Sequence, residues 1–167
     1  MVSMAVNYLK PRWTSEYDEN KEADDLIAEL CLSELLKGNK VVILSGDTDL
    51  FQLLRYPDVR LNNFRKEITA EDVVEKYGVS PDHFADWKAL AGDASDNIPG
   101  VHGIGEKKAA SLLGQYTALE NIPSEEFRTY SAGNIKTLAA KVKRVREDNK
   151  WSISKCKKEF GSAWEKI

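Results

Sequence analysis

The chain has 167 residues, of which 42% are hydrophobic and 31% are charged, which is the composition of an ordinary soluble globular protein. No apolar run approaches the roughly 20 residues that span a membrane, and the N-terminus lacks the basic and apolar segments of an export signal. Cys31 and Cys156 lie far apart and have no CxxC spacing. The composition therefore predicts a cytoplasmic protein without a zinc site or a disulfide framework.

Charge is divided unevenly along the chain. The net charge of −3 combines a value of −9 over residues 1–133 with a value of +6 over residues 134–167, where ten basic and four acidic residues lie. An acidic body with a basic tail is expected if the carboxylates of the body bind metal while the tail meets phosphate groups. A solvated basic helix face would explain the tail equally well.

Helices and strands are predicted to alternate in the first part of the chain. Apolar residues at steps of three and four predict a helix over residues 23–37, which ends at Gly38. The β-branched run over residues 40–45 is typical of a parallel strand that is buried on both faces. A short helix over residues 50–54 and a second strand over residues 59–64 are expected to follow.

Capping signals predict the next two helices. Thr69 and Asp72 have the spacing of a capping box, which opens a helix that is expected to end at Gly78. Pro81 occupies the first position of a further helix, which is predicted to continue to Ala91. Both assignments depend on residues within one helical turn and need no information about tertiary contacts.

The order of the elements predicts the architecture. After a segment rich in glycine, another helix is expected over residues 106–113, and basic helical pieces follow to the end. Alternating strands and helices followed by helices alone favour an α/β fold with a partial parallel sheet and a helical DNA-binding subdomain. We place the α/β core, which carries acidic motifs, at residues 1–91 and the helical subdomain with its basic tail at residues 92–167.

Acidic residues form three clusters. Each cluster alone has a simple structural explanation, because acidic residues complement the dipole at a helix start and aspartates shape turns. Together, carboxylates without histidine or cysteine favour Mg²⁺ or Mn²⁺, and two such ions roughly 4 Å apart suit phosphodiester hydrolysis. The clustered residues are Glu22, Asp24 and Asp25, then Asp47 and Asp49, and then Asp93 and Asp96.

Spacing suggests how the carboxylates of two clusters are presented. Asp47 and Asp49 lie at the carboxyl end of the first predicted strand, where open α/β sheets bind ligands. Because these aspartates are two residues apart, they point the same way if the extended conformation continues. Asp93 and Asp96 are three residues apart and can share one face of a helical turn. Both pairs are therefore candidates for a hard-cation site.

Residues 100–108 have the spacing of a helix-hairpin-helix. Glycines let a backbone come close to a phosphate, and the N-terminus of the next helix offers free N–H groups. A plain glycine turn is the alternative, although the apolar positions and the following lysines match the motif. A clamp of this kind contacts phosphates without reading base sequence. The predicted DNA-binding residues are Gly100, His102, Gly103, Ile104, Gly105, Lys107 and Lys108.

These segments resemble the 5′ nucleases, which comprise flap endonucleases, the 5′–3′ exonuclease domain of bacterial DNA polymerase I and phage relatives. The matching segments are EADDLIA at residues 22–28, VVILSGDTDLFQLL at residues 41–54, the run over residues 66–113, and ALENI at residues 118–122. The resemblance implies a PIN-like α/β core followed by a helix-3-turn-helix module. It also implies Mg²⁺-dependent hydrolysis of DNA near flaps, nicks or 5′ ends in a bacterial or phage-infected cell.

The resemblance assigns roles to the acidic residues. Two Mg²⁺ ions are implied, for which Mn²⁺ can substitute. The residues implied for the first metal site, directly or through water, are Glu22, Asp24 and Asp25. The residues implied to complete the first site and to form the second are Asp47, Asp49, Asp93 and Asp96. Among them, Asp47, Asp49 and Asp93 are the implied catalytic residues.

The resemblance also assigns roles within the hairpin. Gly103 and Gly105 would present backbone amides to a phosphate. The hairpin of the family often holds a K⁺ ion between backbone carbonyls and DNA. Val101 and Ile104 would supply those carbonyls in this chain.

The chain departs from the family before the EADD motif. Family members place there a strand with a metal-binding aspartate, a second aspartate and a helical arch, whereas this chain has 21 residues before Glu22. We therefore expect the C-terminal portion of a 5′ nuclease, working with a separate N-terminal half. The alternative interpretations are a duplex DNA-binding module that does not cut and a truncated homologue.

Overall fold

The computed structural model describes residues 13–14, 16, 18–95, 98–123 and 125–127. This part of the chain is an α/β structure with a small sheet followed by helices, as predicted from the sequence. The basic tail at residues 134–167 lies outside the described residues. Within the described ranges no helix is long and apolar enough to cross a membrane. The domain limits at residues 91 and 92 stay a prediction.

The elements follow one another in an order close to the predicted one. The helices are α1 Ala23–Leu36, α2 Ala70–Tyr77, α3 Phe84–Ala91 and α4 Glu106–Tyr116. The strands are β1 Val41–Leu44, β2 Val59–Asn62 and β3 Glu67–Ile68. Three 3₁₀ helices lie at Asp49–Arg55, Pro81–His83 and Leu119–Asn121.

The sheet has the strand order β1-β2-β3. β1 and β2 are parallel, with Val41 opposite Val59, whereas β3 runs antiparallel to β2, with Ile68 opposite Leu61. The short strand β3 was not predicted, because its two residues lie directly before the capping box of α2. β1 and β3 are thus the edge strands of the described sheet.

The expectation that β1 is buried on both faces is wrong for the described structure. Ile43 is buried, but Val42 and Leu44 are 69% and 60% exposed. The physical reason is that these two side chains lie on a face of the sheet that no element in the described part of the chain covers. A continuous apolar run indicates that both faces of a strand are suited to burial. It does not show that the described residues supply the elements that would cover both faces.

Helix α2 begins and ends as the sequence predicts. The Thr69 Oγ1 atom accepts the Asp72 N–H at 3.1 Å, and the Asp72 carboxylate accepts the Thr69 N–H at 2.9 Å. Gly78 follows with φ +73, which is the left-handed conformation that favours glycine at a helix end. The capping box therefore fixes the first turn of α2 against the end of β3.

Replacing Thr69 by alanine should lower the free energy of unfolding by about 1 kcal/mol, because the N–H of Asp72 loses its acceptor. Urea denaturation of the full chain measures this change. Thr48→Ala is a matched control, since Thr48 precedes a 3₁₀ helix without capping it through its side chain. Equal losses of unfolding free energy in the two variants would show that the capping hydrogen bond of Thr69 does not stabilise the protein measurably.

The core lies where the sheet meets the helices. Phe84 is fully buried in α3 and packs with the rings of Phe51, Tyr77 and Trp87. The indole N–H of Trp87 donates to the carbonyl of Glu106 at 3.1 Å. This bond ties the middle of α3 to the first residue of α4 and so fixes the two helices on either side of the hairpin.

Two predicted helices differ in their local geometry. The segment expected at residues 50–54 is the 3₁₀ helix Asp49–Arg55, and the helix opened by Pro81 consists of a 3₁₀ turn followed by α3. The change occurs at His83, whose φ of −104° and ψ of 6° leave the α-helical region. Proline preference marks where the helical segment starts but does not distinguish a 3₁₀ turn from an α turn.

Candidate metal centre and phosphate-binding hairpin

The chain turns sharply after β1. The Ser45 Oγ atom accepts the Asp47 N–H at 3.1 Å, and the Asp47 carboxylate accepts the Asp49 N–H at 2.9 Å. Thr48 has helical backbone angles, so the extended conformation needed for Asp47 and Asp49 to point the same way is absent. The extended conformation does not continue, because the Asp47 side chain accepts a nearby backbone N–H group within a turn.

Asp49 turns instead towards α3, where it meets Lys88. The Lys88 ammonium group donates hydrogen bonds to Asp49 Oδ1 and to Asp93 Oδ2. The side chains of Lys88, Asp49 and Asp93 are 5%, 18% and 11% exposed. Two carboxylates from separate segments of the chain therefore converge on one cation, in a largely buried position beyond the carboxyl end of β1.

Charge and hydrogen bonding stabilise the ionised forms of this group. Burial alone lowers the pKa of Lys88, but the hydrogen bonds and charges of Asp49 and Asp93 outweigh it and raise that pKa above its ordinary value. Burial alone raises the pKa of Asp93, but hydrogen bonds from Lys88 and Ser95 lower it to about 2. The ammonium group and the Asp93 carboxylate are therefore both charged at neutral pH.

Asp93 lies at the base of a narrow loop. Its backbone exchanges two hydrogen bonds with Ile98, at 2.9 and 2.7 Å, and its side chain accepts the Ser95 N–H at 2.9 Å. Gly92 before it has φ +87, which ends α3. Asp93 therefore does not lie in a helical turn, because the loop pairs it with Ile98 as in a sheet. Asp96 lies outside the described residues.

A second group of carboxylates surrounds the N-terminus of α1. Glu22 precedes the helix, and Asp24 and Asp25 lie in its first turn. Burial raises the pKa of Asp24, and the negative charges of Asp25 and Asp47 raise it further. The start of α1 and the turn after β1 therefore lie within electrostatic range of each other.

The described structure arranges the predicted acidic residues in two groups. Asp24, Asp25 and Asp47 interact through their charges, whereas Asp49 and Asp93 share Lys88. Among the described residues, no three acidic, histidine or cysteine side chains come together as a complete metal cluster. The metal-ligand roles of the seven predicted carboxylates thus stay predictions.

Sequence reasoning missed Lys88, although the sequence contains a signal for it. Lys88 stands within the segment FADWKALA of α3, where every residue from Phe84 to Leu90 is buried. A lysine inside a buried and mostly apolar helix is unusual unless its charge is paired. That rule could have predicted an acidic partner for Lys88, but it could not have identified Asp49, which is 39 residues away.

The hairpin that follows is anchored by buried apolar residues. Val101 and Ile104 are each 3% exposed. The Val101 N–H donates to the Leu90 carbonyl at 2.8 Å, which joins the hairpin to the end of α3. The Val101 carbonyl accepts the Ile104 N–H at 2.9 Å, so the two residues predicted for a K⁺ site close a tight turn. The K⁺ site itself stays a prediction.

The predicted phosphate-binding atoms lie on the outer side of this turn. Gly103 has φ +81. Gly105 is the N-cap residue of α4, and no side chain caps the first N–H groups of this helix. His102, Lys107 and Lys108 are exposed next to them. An eleven-residue helix with an open N-terminus beside exposed lysines can bind an anion.

Two family models match adjacent parts of the chain. The 5′–3′ exonuclease N-terminal resolvase-like domain matches residues 7–78, and the 5′–3′ exonuclease C-terminal SAM fold matches residues 79–156. The chain belongs to the 5′–3′ exonuclease family. The resemblance to the 5′ nucleases is confirmed, and both parts of the family's architecture are represented in this chain.

Individual relatives agree with this assignment. A 5′–3′ exonuclease of Buchnera aphidicola is 39% identical over 132 residues, which are 75% of this chain and 45% of the relative. The thermostable DNA polymerase I of Thermus filiformis is 48% identical over 101 residues, or 12% of its length. The chain thus spans less than half of the length of these relatives.

Solved structures show the same fold. The T5 5′-exonuclease with bound zinc ions has a TM-score of 0.68 and 26% identity, and the match covers 89% of this chain and 55% of that one. A T5 D15 flap endonuclease in complex with DNA and metal ions has a TM-score of 0.69 and 24% identity. The partial PIN-like sheet followed by a helical subdomain is therefore the fold of this chain.

Proposed function

We propose that the chain is the C-terminal part of a 5′–3′ nuclease that hydrolyses DNA phosphodiesters at 5′ flaps, nicks or ends. The observation that carries the proposal is the convergence of the Asp49 and Asp93 carboxylates on one cation beside a hairpin with an open helix N-terminus. Relatives within DNA polymerase I support a role in replication and repair, in the cytoplasm of a bacterial or phage-infected cell.

The donor set of the site fits a divalent cation. Every predicted ligand is a carboxylate, and Mg²⁺ is often bound by one or two carboxylates together with water and substrate phosphate oxygens. We propose that two Mg²⁺ ions, or Mn²⁺ in their place, bind here and supply Lewis-acid stabilisation and an activated water. The residues that would hold them are Asp47, Asp49, Asp93 and Asp96, with Glu22, Asp24 and Asp25 acting directly or through water.

The hairpin would position the DNA relative to these carboxylates. The exposed backbone at Gly103 and Gly105, together with Lys107 and Lys108, would contact phosphates of a duplex. The paired backbone of Asp93 and Ile98 connects that contact directly to a carboxylate of the site. A phosphate held by the hairpin is therefore fixed relative to the reacting groups, which is how positioning assists hydrolysis.

The exposed side chains of β1 are an argument for a second polypeptide that covers them and completes the core. Val42 and Leu44 are exposed on the edge strand β1, directly before Asp47 and Asp49. The chain also spans less than half of the Buchnera exonuclease. We propose that a separate N-terminal half supplies the remaining metal ligand and the arch that receives the 5′ strand, so that cleavage needs both polypeptides.

A cleavage assay tests the proposal. A 5′-flap DNA labelled at its 5′ end is incubated with the chain, alone and with a separately expressed N-terminal half, in Mg²⁺ or EDTA. We expect Mg²⁺-dependent cutting when both polypeptides are present. Asp47→Ala should abolish this cutting and leave the affinity for duplex DNA unchanged. Asp58→Ala, in an exposed turn at the other end of β1, is the matched control and should cut normally. Cutting that persists in EDTA or in Asp47→Ala contradicts the metal-site assignment.

A specific observation favours the second candidate function, a duplex DNA-binding module that does not cut. Lys88 already forms ion pairs with both Asp49 and Asp93, and the described residues form no complete metal cluster. This function predicts salt-sensitive duplex binding in Ca²⁺ with no cleavage in Mg²⁺ or Mn²⁺, even when the N-terminal half is added. The assay above therefore distinguishes the two functions.

A further inference from the structure

Lys88 is placed where a positive charge is costly unless it is paired. Its side chain is 5% exposed, and the other buried residues of α3 are apolar except for Asp86. A buried ammonium group loses the solvation of water and needs nearby carboxylates to compensate. Asp49 and Asp93 supply that compensation from two different segments, one after β1 and one after α3.

The positive charge of Lys88 also stabilises the close approach of the two carboxylates. Two largely buried carboxylates that approach a common point repel each other unless a cation lies between them. In a metal-binding protein that cation is often the metal itself. Here, a side chain of the chain already occupies the position between one oxygen of Asp49 and one oxygen of Asp93.

We propose that Lys88 is an internal counter-cation, which holds Asp49 and Asp93 together before metal binds and competes with divalent cations for their oxygens. The inference rests on the proposed function in one respect, namely that these two aspartates bind metal. It assigns to Lys88 a positioning role that acts through the carboxylates. The lysine thereby gives the site its geometry without metal and weakens its affinity for metal.

A purely structural lysine would behave differently. If Lys88 only fills space between α3 and the turn after β1, its replacement lowers stability and leaves the affinity for metal unchanged or lower. If Lys88 competes with the metal, removing its charge lowers stability without metal but raises the affinity for metal. The opposite directions of these two effects distinguish the interpretations.

Binding of Mn²⁺ to the full chain tests the inference without DNA. Chain freed of metal with EDTA is titrated with MnCl₂, and free Mn²⁺ is measured by electron paramagnetic resonance. Lys88→Gln removes the charge but keeps hydrogen-bond donors, and we expect it to bind Mn²⁺ at least about tenfold more tightly. Lys88→Arg keeps the charge and should bind like the wild type. Lys37→Gln, in an exposed ion pair with Glu34, is the matched control.

Thermal unfolding provides the second measurement. Lys88→Gln should melt at a lower temperature than the wild type in EDTA and should gain more than the wild type from added Mn²⁺. Lys88→Met is the second uncharged variant if the glutamine variant does not fold, because methionine resembles the buried part of the lysine side chain. Both uncharged variants should shift the affinity in the same direction.

Each alternative outcome has a definite meaning. Equal or weaker Mn²⁺ binding by the uncharged variants overturns the inference alone, since the metal site itself would still be demonstrated. An unchanged melting temperature in EDTA overturns the counter-cation role. The absence of saturable Mn²⁺ binding in every variant overturns both the inference and the metal part of the proposed function.

Discussion

Replacing Phe84 by alanine should lower the free energy of unfolding by about 3–5 kcal/mol, as is usual for a fully buried aromatic side chain. The ring is 0% exposed, and its centroid lies 5.6 Å from that of Phe51, 5.0 Å from Tyr77 and 5.5 Å from Trp87. Phe51 and Tyr77 belong to two other elements and Trp87 belongs to α3 itself, so none can fill the cavity without leaving its own contacts. Urea denaturation followed by tryptophan fluorescence measures the loss.

Phe64→Ala is the matched control for this prediction. Phe64 is 68% exposed and has φ +69, a conformation that alanine at the same position also has to adopt. We expect its replacement to change stability by less than about 0.5 kcal/mol. Similar losses for the two phenylalanines would contradict the burial of Phe84 at the centre of the aromatic cluster.

The effect of Phe84→Ala should extend to the candidate metal centre. Lys88 lies one helical turn after Phe84 on α3, and its ammonium nitrogen is 5.9 Å from the centroid of the Phe84 ring. A cavity at Phe84 therefore loosens the helix turn that presents Lys88 to Asp49 and Asp93. Core packing and the arrangement of the two carboxylates are consequently coupled through a single helix.

Features that depend on one helical turn were predictable from the sequence. The capping box of Thr69 and Asp72, the helix end at Gly78 and the buried positions of Val101 and Ile104 all follow from local spacing. Each requires only that a side chain reach a backbone group, or a shared face, a few residues away. Local chemistry decides such features before tertiary contacts form.

Features that depend on distant partners were not predictable in this way. The ion pair between Asp49 and Lys88 joins residues 39 positions apart, and no periodicity connects them. The exposure of Val42 and Leu44 likewise depends on which elements lie beside β1. Asp47 and Asp49 diverge because a hydrogen bond to a backbone N–H, rather than strand periodicity, sets the turn.

Replacing Gly100 by alanine should lower the free energy of unfolding by roughly 3 kcal/mol or more, because the added carbon has no space. A Cβ atom there would lie 2.5 Å from the Gly92 nitrogen and 2.6 Å from the Ala91 carbonyl carbon. These neighbours are backbone atoms and cannot rotate away, and φ +61 at Gly100 adds strain for any side chain. Thermal or urea unfolding of the full chain measures the change.

Gly114→Ala is the matched control, since Gly114 lies inside α4 and an added Cβ meets nothing within 4 Å. Alanine is the better helix former, so this variant should gain roughly 0.5–1 kcal/mol. A lower free energy of unfolding for Gly100→Ala and a higher one for Gly114→Ala would distinguish crowding at Gly100 from a general effect of replacing glycine. A stable Gly100→Ala variant would show that α3 and the start of the hairpin are not packed as described.

The same substitution should weaken DNA binding through the position of the hairpin. Separation of Gly100 from Gly92 would stretch the hydrogen bond from the Val101 N–H to the Leu90 carbonyl, which joins the hairpin to α3. We expect Gly100→Ala to reduce duplex affinity in a fluorescence anisotropy titration at a temperature where the variant is still folded, with Gly114→Ala unchanged. Normal affinity in a folded Gly100→Ala variant would remove the hairpin from the proposed DNA interface, because its exposed amides could then be displaced without consequence for binding.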